Sequence, residues 1–234
     1  MKKQVKTGLI LGMIFLGSSL FAQTTDLKIE KSKNETIVDK TYLSLLLNVV
    51  TTNLNYGDTN SSLSNSKKSV NGLQIGATFQ AGLNSNISLV SEFYFIMKGG
   101  KLKENLLEGI NKTTLRLYTL ELPVLVRYDL GKVYFNTGPS LAYNLSGTKQ
   151  IDDILRSLSF NNSADGYKRW DAGIQMGAGY RFKVKQKPMA LDVRYAYGLT
   201  NISQGKKIHN RYLNVSLYAT RLWKTNPLKK KNFN

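Results

Sequence analysis

The sequence predicts an all-β protein, an eight-stranded antiparallel up-and-down transmembrane β-barrel. Three observations support this prediction: strands too long for an ordinary soluble sheet, connections that alternate between long and short, and an amino terminus that directs export. The clearest stretch is residues 113–144, where two long runs rich in Leu, Val, Tyr and Phe flank a turn at residues 129–131. A strand in a soluble protein has roughly 5 to 6 residues, whereas a tilted strand that crosses a bilayer needs about 9 to 11.

Residues 1–22 have the composition of a secretory signal peptide. Lysines near the start are followed by an apolar run over residues 8–16 and by small residues up to Ala22. The apolar run is shorter than the about 20 residues that a membrane-spanning helix requires. We therefore predict cleavage after Ala22 rather than a retained anchor. The polar segment 23–40 has no useful period and is predicted to be a periplasmic lead-in.

Composition excludes several kinds of chemical site. The absence of cysteine excludes disulfides, thiolate metal sites and cysteine nucleophiles. His209 is the only histidine, which leaves no imidazole cluster for zinc or for a nucleophile–base pair. We interpret His209 as a polar residue at the start of a strand. The sequence therefore predicts no metal site, no cofactor and no catalytic residue.

The strong positive charge indicates an anionic partner. The formal net charge is +18, and the lysines lie mostly in turns and tails rather than on one helix or one aromatic face. This distribution favours attraction to anionic outer-membrane lipid and lipopolysaccharide headgroups over binding of nucleic acid.

Eight strands are expected at regular intervals between residues 41 and 223, before a basic C-terminal tail at residues 224–234. Each run alternates in character, as a strand with two different faces does. An even number of strands is what bacterial single-chain barrels have. The predicted strands cover residues 41–54, 70–83, 86–98, 113–128, 132–145, 168–183, 189–200 and 210–223.

The connections alternate in length along the chain. Alternation of this kind is typical of a barrel whose extracellular loops oppose short periplasmic turns. It predicts the bacterial outer membrane as the location, with both chain termini in the periplasm. The long connections are residues 55–69, 99–112, 146–167 and 201–209, and the short ones are residues 84–85, 129–131 and 184–188.

The period of two predicts which side chains face lipid and which face the lumen. In the strand after residue 168, Trp170, Ile174 and Met176 are assigned to the lipid face, and Asp171 and Gln175 to the lumen. Residues 73–81 and 191–197 show the same division. Because side chains just fill the interior of an eight-stranded barrel, we expect no open channel.

Aromatic residues near the strand ends are predicted to form girdles at the two membrane interfaces. A core of aromatic residues in a soluble β-protein is the alternative interpretation of the same pattern. The residues assigned to the girdles are Tyr42, Tyr128, Tyr134, Tyr143, Trp170, Tyr180, Tyr195, Tyr197, Tyr212, Tyr218 and Trp223.

Seven charged residues are assigned to the lumen face and form the candidate site. Arg181 is expected to pair with Asp192 across a hairpin, and Glu92 with Arg194 across the narrow lumen. Paired carboxylates can act as general acid and base, but buried charges also need partners simply to be tolerated. We therefore favour a structural plug of ion pairs over catalysis. The seven residues are Glu92, Glu121, Arg127, Asp171, Arg181, Asp192 and Arg194.

Several segments carry a resemblance to a known family. A Glu-x-Pro segment within residues 120–126, the Gly-Pro pair at residues 138–139, the Gly-rich strand 171–179 and the segment RYAYGLTNI at residues 194–202 match the pattern of one family. The chain resembles the PorT-like outer-membrane β-barrels of Bacteroidetes-type bacteria. The resemblance covers residues 40–223 and implies fold and location more than activity, although some relatives are similar to a protein required for secretion of surface proteases by the type IX system.

The predicted function is therefore a structural or interaction role for a non-enzymatic outer-membrane barrel that binds a partner in the envelope. An accessory role in type IX-like secretion is a narrower form of this prediction. Two alternatives stay open: a small outer-membrane pore, which would need a lumen free of opposing charges, and a barrel enzyme acting on lipid or peptide bonds, which would need a nucleophile and base at the rim.

Overall fold

The computed structural model of the chain describes residues 42–59, 61–63, 65–106, 109–219 and 221–222. The predicted signal peptide (1–22), periplasmic lead-in (23–40) and basic tail (224–234) lie outside these residues, as do both outermost residues of the predicted barrel. Within the described part of the chain, no helix is long and apolar enough to cross a bilayer.

Strands make up most of the described residues. Eight of them form the barrel, namely β1, β3, β4, β5, β6, β8, β9 and β10, while β2 and β7 lie in long connections and β11 continues the course of β10. A single 3-10 turn at Gly57–Thr59 follows β1. The strands are β1 (Tyr42–Asn55), β2 (Lys67–Lys68), β3 (Val70–Gly82), β4 (Ile87–Leu106), β5 (Gly109–Leu130), β6 (Val133–Ile151), β7 (Ile154–Ser157), β8 (Trp170–Val184), β9 (Lys187–Gly198), β10 (His209–Ala219) and β11 (Arg221–Leu222).

Each barrel strand pairs antiparallel with its neighbours in the chain, and the first and last strands close the ring. The order is β10-β9-β8-β6-β5-β4-β3-β1, and β1 pairs with β10 from Val49 opposite Val215 to Asn55 opposite His209. The predicted eight-stranded up-and-down antiparallel barrel is confirmed. In the described part of the chain the ring of eight strands is closed, and closure is the condition for a sheet to survive in hydrocarbon.

The outward face of the barrel is apolar. Along β9, Leu191, Val193 and Tyr195 are exposed, whereas Asp192 and Arg194 between them are buried. The same alternation runs through the other strands, and Leu45 on β1 is 64% exposed. Other exposed apolar residues of the barrel wall include Leu47, Val49, Ile75, Phe93, Val126, Phe135, Leu141, Met176, Leu213 and Val215. Monomeric soluble proteins rarely expose a continuous apolar surface of this extent. The surface is suited to contact with lipid acyl chains.

The two ends of the barrel differ. The turn end carries three short connections, at residues 83–86, 131–132 and 185–186, while the loop end carries the long ones. The sequence predicted the segregation, but residues 99–112 are not a loop. Strands β4 and β5 continue to pair as far as Leu106 opposite Gly109. Gly99, the first residue of the predicted connection, lies inside β4 and has φ +153, where a Cβ would overlap the carbonyl oxygen of Leu115.

The long connections fold onto the loop end around a small apolar cluster. Ile202 and Ile208 are buried there beside Leu54 and Leu117, and backbone hydrogen bonds join residues 166–168 to residues 202–204. Residues that pack against this cluster from the connections are Tyr56, Leu158, Phe160 and Tyr167. The long connections at residues 55–69, 146–167 and 201–209 are therefore held together, because each supplies apolar residues to the same cluster.

The predicted aromatic girdles are partly wrong. Trp170, Tyr180 and Tyr195 are exposed on the outer wall, as predicted, but three of the assigned tyrosines point inward. Each of the three lies an even number of positions from a buried residue of its own strand. Because every second side chain of a strand points to the same side, all three point into the lumen although they lie near strand ends. The inward tyrosines are Tyr134, Tyr212 and Tyr218.

Candidate functional site

The lumen contains all seven charged residues that the sequence assigned to it. Six of them are buried, and Arg181, near the turn end, keeps 28% of its side chain exposed. The six buried residues are Glu92, Glu121, Arg127, Asp171, Asp192 and Arg194. Two further charged residues, Lys98 and Asp129, are buried among them. Among the described residues, the interior therefore holds five carboxylates and four cations, arranged in three layers along the barrel.

The middle layer is centred on Arg194, whose side chain is fully buried. Its guanidinium donates to both carboxylate oxygens of Glu92, at 2.7 and 3.1 Å, and lies 3.4 Å from Asp192. Asn136 donates to the second oxygen of Asp192 at 2.8 Å. This bidentate geometry is the strong form of an Arg–carboxylate contact.

The Glu92–Arg194 pair spans the whole lumen. Glu92 lies on β4 and Arg194 on β9, and these strands are four positions apart in either direction around the ring of eight. The two side chains therefore meet from diametrically opposite walls. A contact of this kind closes the cross-section, because the space in the middle of the barrel is filled by the pair itself.

The second layer lies nearer the loop end. Lys98 donates to Glu121 at 2.9 Å and to Asp171 at 3.4 Å. Asp171 also accepts hydrogen bonds from Asn210 at 2.6 Å and from Thr200 at 2.8 Å. Both carboxylates in this layer thus have the opposite charge of Lys98 and a neutral donor beside them, the condition under which burial is tolerated.

Gln175 connects the two layers. Its amide nitrogen lies 2.7 to 2.9 Å from the hydroxyls of Tyr94 and Tyr212 and from Glu121. Its amide oxygen accepts from Arg194 at 3.2 Å. The network therefore runs without a break from the middle of the barrel to the loop-end layer, and it draws on β4, β5, β8, β9 and β10.

The third layer lies at the turn end. Arg181 donates to Asp129 at 2.5 Å, and Arg127 donates to Gln80 at 2.6 Å. The ring of Tyr134 is shared by both guanidinium groups, whose centres lie 4.1 Å (Arg127) and 4.8 Å (Arg181) from its centroid. Stacking of this kind holds two cations close together.

Gly179 makes room for this arrangement. It lies opposite Tyr134 in the β6–β8 ladder, and a Cβ at this position would overlap the tyrosine ring. The ring covers the glycine backbone, a recurring way to fill the space that a strand glycine leaves.

The predicted pairing of Arg181 with Asp192 is wrong. The β8–β9 turn is centred between Lys185 and Gln186, so Arg181 lies opposite Ala190, and Asp192 lies opposite Gly179. The error was a shift of two positions in the hairpin register, which leaves every side chain on its correct face but changes its neighbour across the strands.

Several members of the network were missed by the sequence analysis. Lys98 was placed at the end of a strand and Asp129 in a turn, but both share parity with inward residues of the same strand. Counting in twos from Glu92 reaches Lys98, and counting in twos from Arg127 reaches Asp129. Gln175 was assigned to the lumen, but nothing in the sequence indicated its central position.

The two carboxylates considered as a general acid and base are each paired with a cation. Glu92 and Glu121 are bound by different cations, Arg194 and Lys98, and they lie in different layers. Within the described residues, no group of three or more His, Cys, Asp or Glu lies together in a way that could hold a metal ion. The described interior is ion-paired, and its role as a structural plug stays a prediction.

A closed antiparallel barrel with an apolar exterior and a polar, filled interior defines the class of small transmembrane β-barrels. The family described as outer membrane protein beta-barrel domain matches residues 21–204, and the chain belongs to this family. Its location is the bacterial outer membrane. The match does not test the resemblance to the PorT-like group, which stays a prediction.

Solved structures of similar barrels include three with low sequence identity. The attachment invasion locus protein Ail of Yersinia pestis, in complex with the heparin analogue sucrose octasulfate, is 9% identical, with 77% of this chain and 99% of that chain covered and a TM-score of 0.43. Neisserial surface protein A is 12% identical, with 76% and 96% covered and a TM-score of 0.44. OprG of Pseudomonas aeruginosa is 12% identical, with 80% and 94% covered and a TM-score of 0.39. No curated protein matches the sequence.

Proposed function

We propose that the protein is a non-enzymatic outer-membrane barrel whose filled lumen makes it a rigid support for the structure at its loop end. The observation that carries this proposal is the Glu92–Arg194 contact between opposite walls. Because the pair and its neighbours fill the cross-section, the barrel is suited to anchoring and interaction rather than to transport. In this proposal the turn end and both termini face the periplasm, and the loop end faces outward.

The loop end is suited to an anionic partner. Among the described residues with defined side-chain exposure, nine exposed lysines and arginines lie there against four exposed aspartates. The nine are Lys68, Lys101, Lys103, Lys112, Arg156, Lys168, Arg169, Lys206 and Lys207, and the four are Asp58, Asp152, Asp153 and Asp165. Phosphate groups of lipopolysaccharide, or an acidic protein of the envelope, match this excess of positive charge.

Planar-bilayer conductance of the purified chain tests the sealed lumen. We expect no current steps above those of lipid alone, because the plug leaves no continuous water path. The double variant E92A/R194A, which removes both halves of the contact that spans the lumen, is the positive control and is expected to conduct. Stable single-channel steps from the unchanged protein would support the small-pore alternative and contradict the proposal.

Binding of lipopolysaccharide tests the loop end separately. The variant K101Q/K206Q removes two exposed loop-end charges, and K185Q/K187Q removes two exposed turn-end charges as a matched control. We expect weaker retention of lipopolysaccharide by the first variant alone in detergent extracts. Equal retention by both variants would exclude the loop end as the binding surface.

The narrower role in type IX-like secretion is supported by the PorT-like resemblance of residues 113–223. When the gene is deleted from a secreting bacterium, we expect surface proteases to stay inside the cell. Recovery of secretion by the K101Q/K206Q variant would separate this role from lipopolysaccharide binding, since the two would then depend on different surfaces.

A further inference from the structure

A blind cavity opens at the turn end of the barrel, on the other side of the plug from the loops. Its volume is about 720 Å³, within the range of about 300 to 1,000 Å³ that is usual for small-molecule sites. Tyr134, Tyr218 and Ala190 line the cavity and are buried, and the hydroxyl of Tyr218 lies 3.5 Å from Arg194 of the middle layer. The cavity can therefore hold a ligand but does not lead through the barrel.

Four cationic side chains line this cavity. Arg127, Lys132, Arg181 and Lys183 come from β5, β8 and the β5–β6 turn, while no carboxylate of the described part of the chain lines it. Asp129 neutralises Arg181 from beside the cavity. The remaining charge is positive, and such a concentration of like charge is unfavourable unless an anion shares the space.

The two arginines are already oriented for an anion. Both guanidinium groups stack on Tyr134, so their donors are held in place before a ligand arrives. Arg127 is buried, and its Nε donates to no atom of the described residues. A buried guanidinium N–H without a partner is costly, and an oxygen of an anionic ligand would satisfy it. Prior orientation of this kind lowers the entropy cost of binding.

The remaining lining combines the polar side chains of Ser44, Thr78 and Gln80, on β1 and β3, with apolar side chains of the β8–β9 hairpin. Phe182, Met189 and Ala190 contribute to one side of the cavity, next to the cationic side. A ligand with an anionic head and an apolar body would contact both. A phosphate group suits the cationic side better than a single carboxylate, because it offers three terminal oxygens and up to two negative charges to several donors.

We propose that the turn-end cavity is a binding site for a phosphate-bearing ligand, with the phosphate between Arg127, Lys132, Arg181 and Lys183. The phosphate belongs either to an amphiphile, such as a phosphorylated lipid, or to a free phosphate ion. The apolar lining from the β8–β9 hairpin favours the amphiphile.

Titration calorimetry of the full chain in a maltoside detergent, which contains no phosphate, tests the proposal. The probes are dihexanoyl phosphatidic acid, inorganic phosphate and uncharged dihexanoylglycerol. We expect saturable binding of dihexanoyl phosphatidic acid, weaker binding of inorganic phosphate and no binding of dihexanoylglycerol. The stronger of the two phosphate probes identifies the source of the ligand.

The variant K132Q/K183Q removes two exposed cations that line the cavity, and it is expected to weaken binding about tenfold, because each exposed charge contributes modestly. The matched control K185Q/K187Q removes two exposed lysines of the same end that do not line it and is expected to bind normally. Both variants should fold, since all four side chains are exposed. If neither phosphate probe binds, or if both variants lose affinity for the probes equally, the proposal is overturned.

Discussion

At the scale of single residues, the interior depends on charges whose partners lie on other strands. Arg194 is 1% exposed and Glu92 is 2% exposed, so neither can be hydrated if the other is removed. Removing one partner of a buried pair is expected to cost much more than removing both, because it leaves an isolated charge in a poorly solvated space.

This asymmetry gives the first prediction. Each single variant, E92M or R194M, is expected to lower the free energy of unfolding by about 3 to 5 kcal/mol. The double variant E92M/R194M should lose less than the sum of the two, because no charge is then left alone. Urea unfolding of the protein in phospholipid vesicles measures all three. Losses that simply add would mean that the two residues do not interact.

The turn-end layer gives a second prediction, which depends on the corrected register. Double-mutant cycles with D129N and R181Q should give a coupling of about 1 kcal/mol, the upper range for a pair with one partly exposed member. A cycle with D192N and R181Q should give a smaller value, since the structure forms an ion pair between Arg181 and Asp129 rather than Asp192. The opposite order of the two couplings would support the hairpin register that the sequence suggested.

The sequence predicted which residues lie inside better than it predicted their partners. Facing follows from a period of two that holds along each strand, so Asp171, Asp192 and Arg194 were assigned correctly. A partner across a hairpin depends on the position of the turn, and one residue of error in the centre of the β8–β9 turn moved the partner of Arg181 by two. Contacts across the lumen depend on depth as well as strand order, which is why Gln175 was not recognised as the link between layers.

At the scale of elements, the loops are more ordered than their polar composition suggests. The connections after β1 and β9 are joined by Lys207, which donates to Asp58 at 2.7 Å. Both side chains are well exposed, so this pair contributes orientation more than stability. The apolar cluster beneath it holds the connections together, and no simple sequence period indicates such a cluster.

The Asp58–Lys207 contact gives a third prediction, for pH dependence. The hydrogen bond and the charge of Lys207 hold the pKa of Asp58 below its ordinary value of 3.8. The same pair raises the pKa of Lys207 above 10.5. The contact is therefore complete between about pH 4 and about pH 10. It is lost as the pH falls through the lowered pKa of Asp58 or rises through the raised pKa of Lys207.

A carbon NMR titration of the Asp58 carboxyl tests this prediction. The midpoint should lie below 3.8 in the unchanged protein and return toward that value in K207Q. The neighbouring variant K206Q removes the same charge one residue away and should leave the midpoint low. A midpoint at the ordinary value in the unchanged protein would show that the two loops are not joined by this pair.

The extended β4–β5 hairpin shows where element prediction failed. Gly99, Gly100 and Gly109 lie in a segment that was predicted to be a long connection, yet the β4–β5 ladder continues through all of them. The backbone at Gly99 approaches Leu115 of the partner strand too closely for a side chain. A glycine required by close approach and a glycine required by a turn look the same in a single sequence.

At the scale of the whole molecule, the barrel is an inverted globular protein. Its exterior holds the apolar residues, and its interior holds the charged ones. Alternation of apolar and polar side chains along a strand would also suit a soluble sandwich, but here the apolar side faces lipid and the polar side faces the lumen. The fold was predictable because this inversion repeats in every strand. The sequence did not identify a partner, because its positive charge indicates only the sign of the charge that a partner would carry.

The most direct test of the account is photolabelling of the unchanged protein in bilayers that contain a diazirine lipid, followed by mapping of the labelled residues. The account predicts labels in steps of two, on Leu45, Leu47 and Val49 of β1 and on Leu191, Val193 and Tyr195 of β9. The residues between them, including Asp192 and Arg194, should carry none. Labels on Asp192 and Arg194, or labels without a period of two, would contradict a barrel with lipid outside and ion pairs inside.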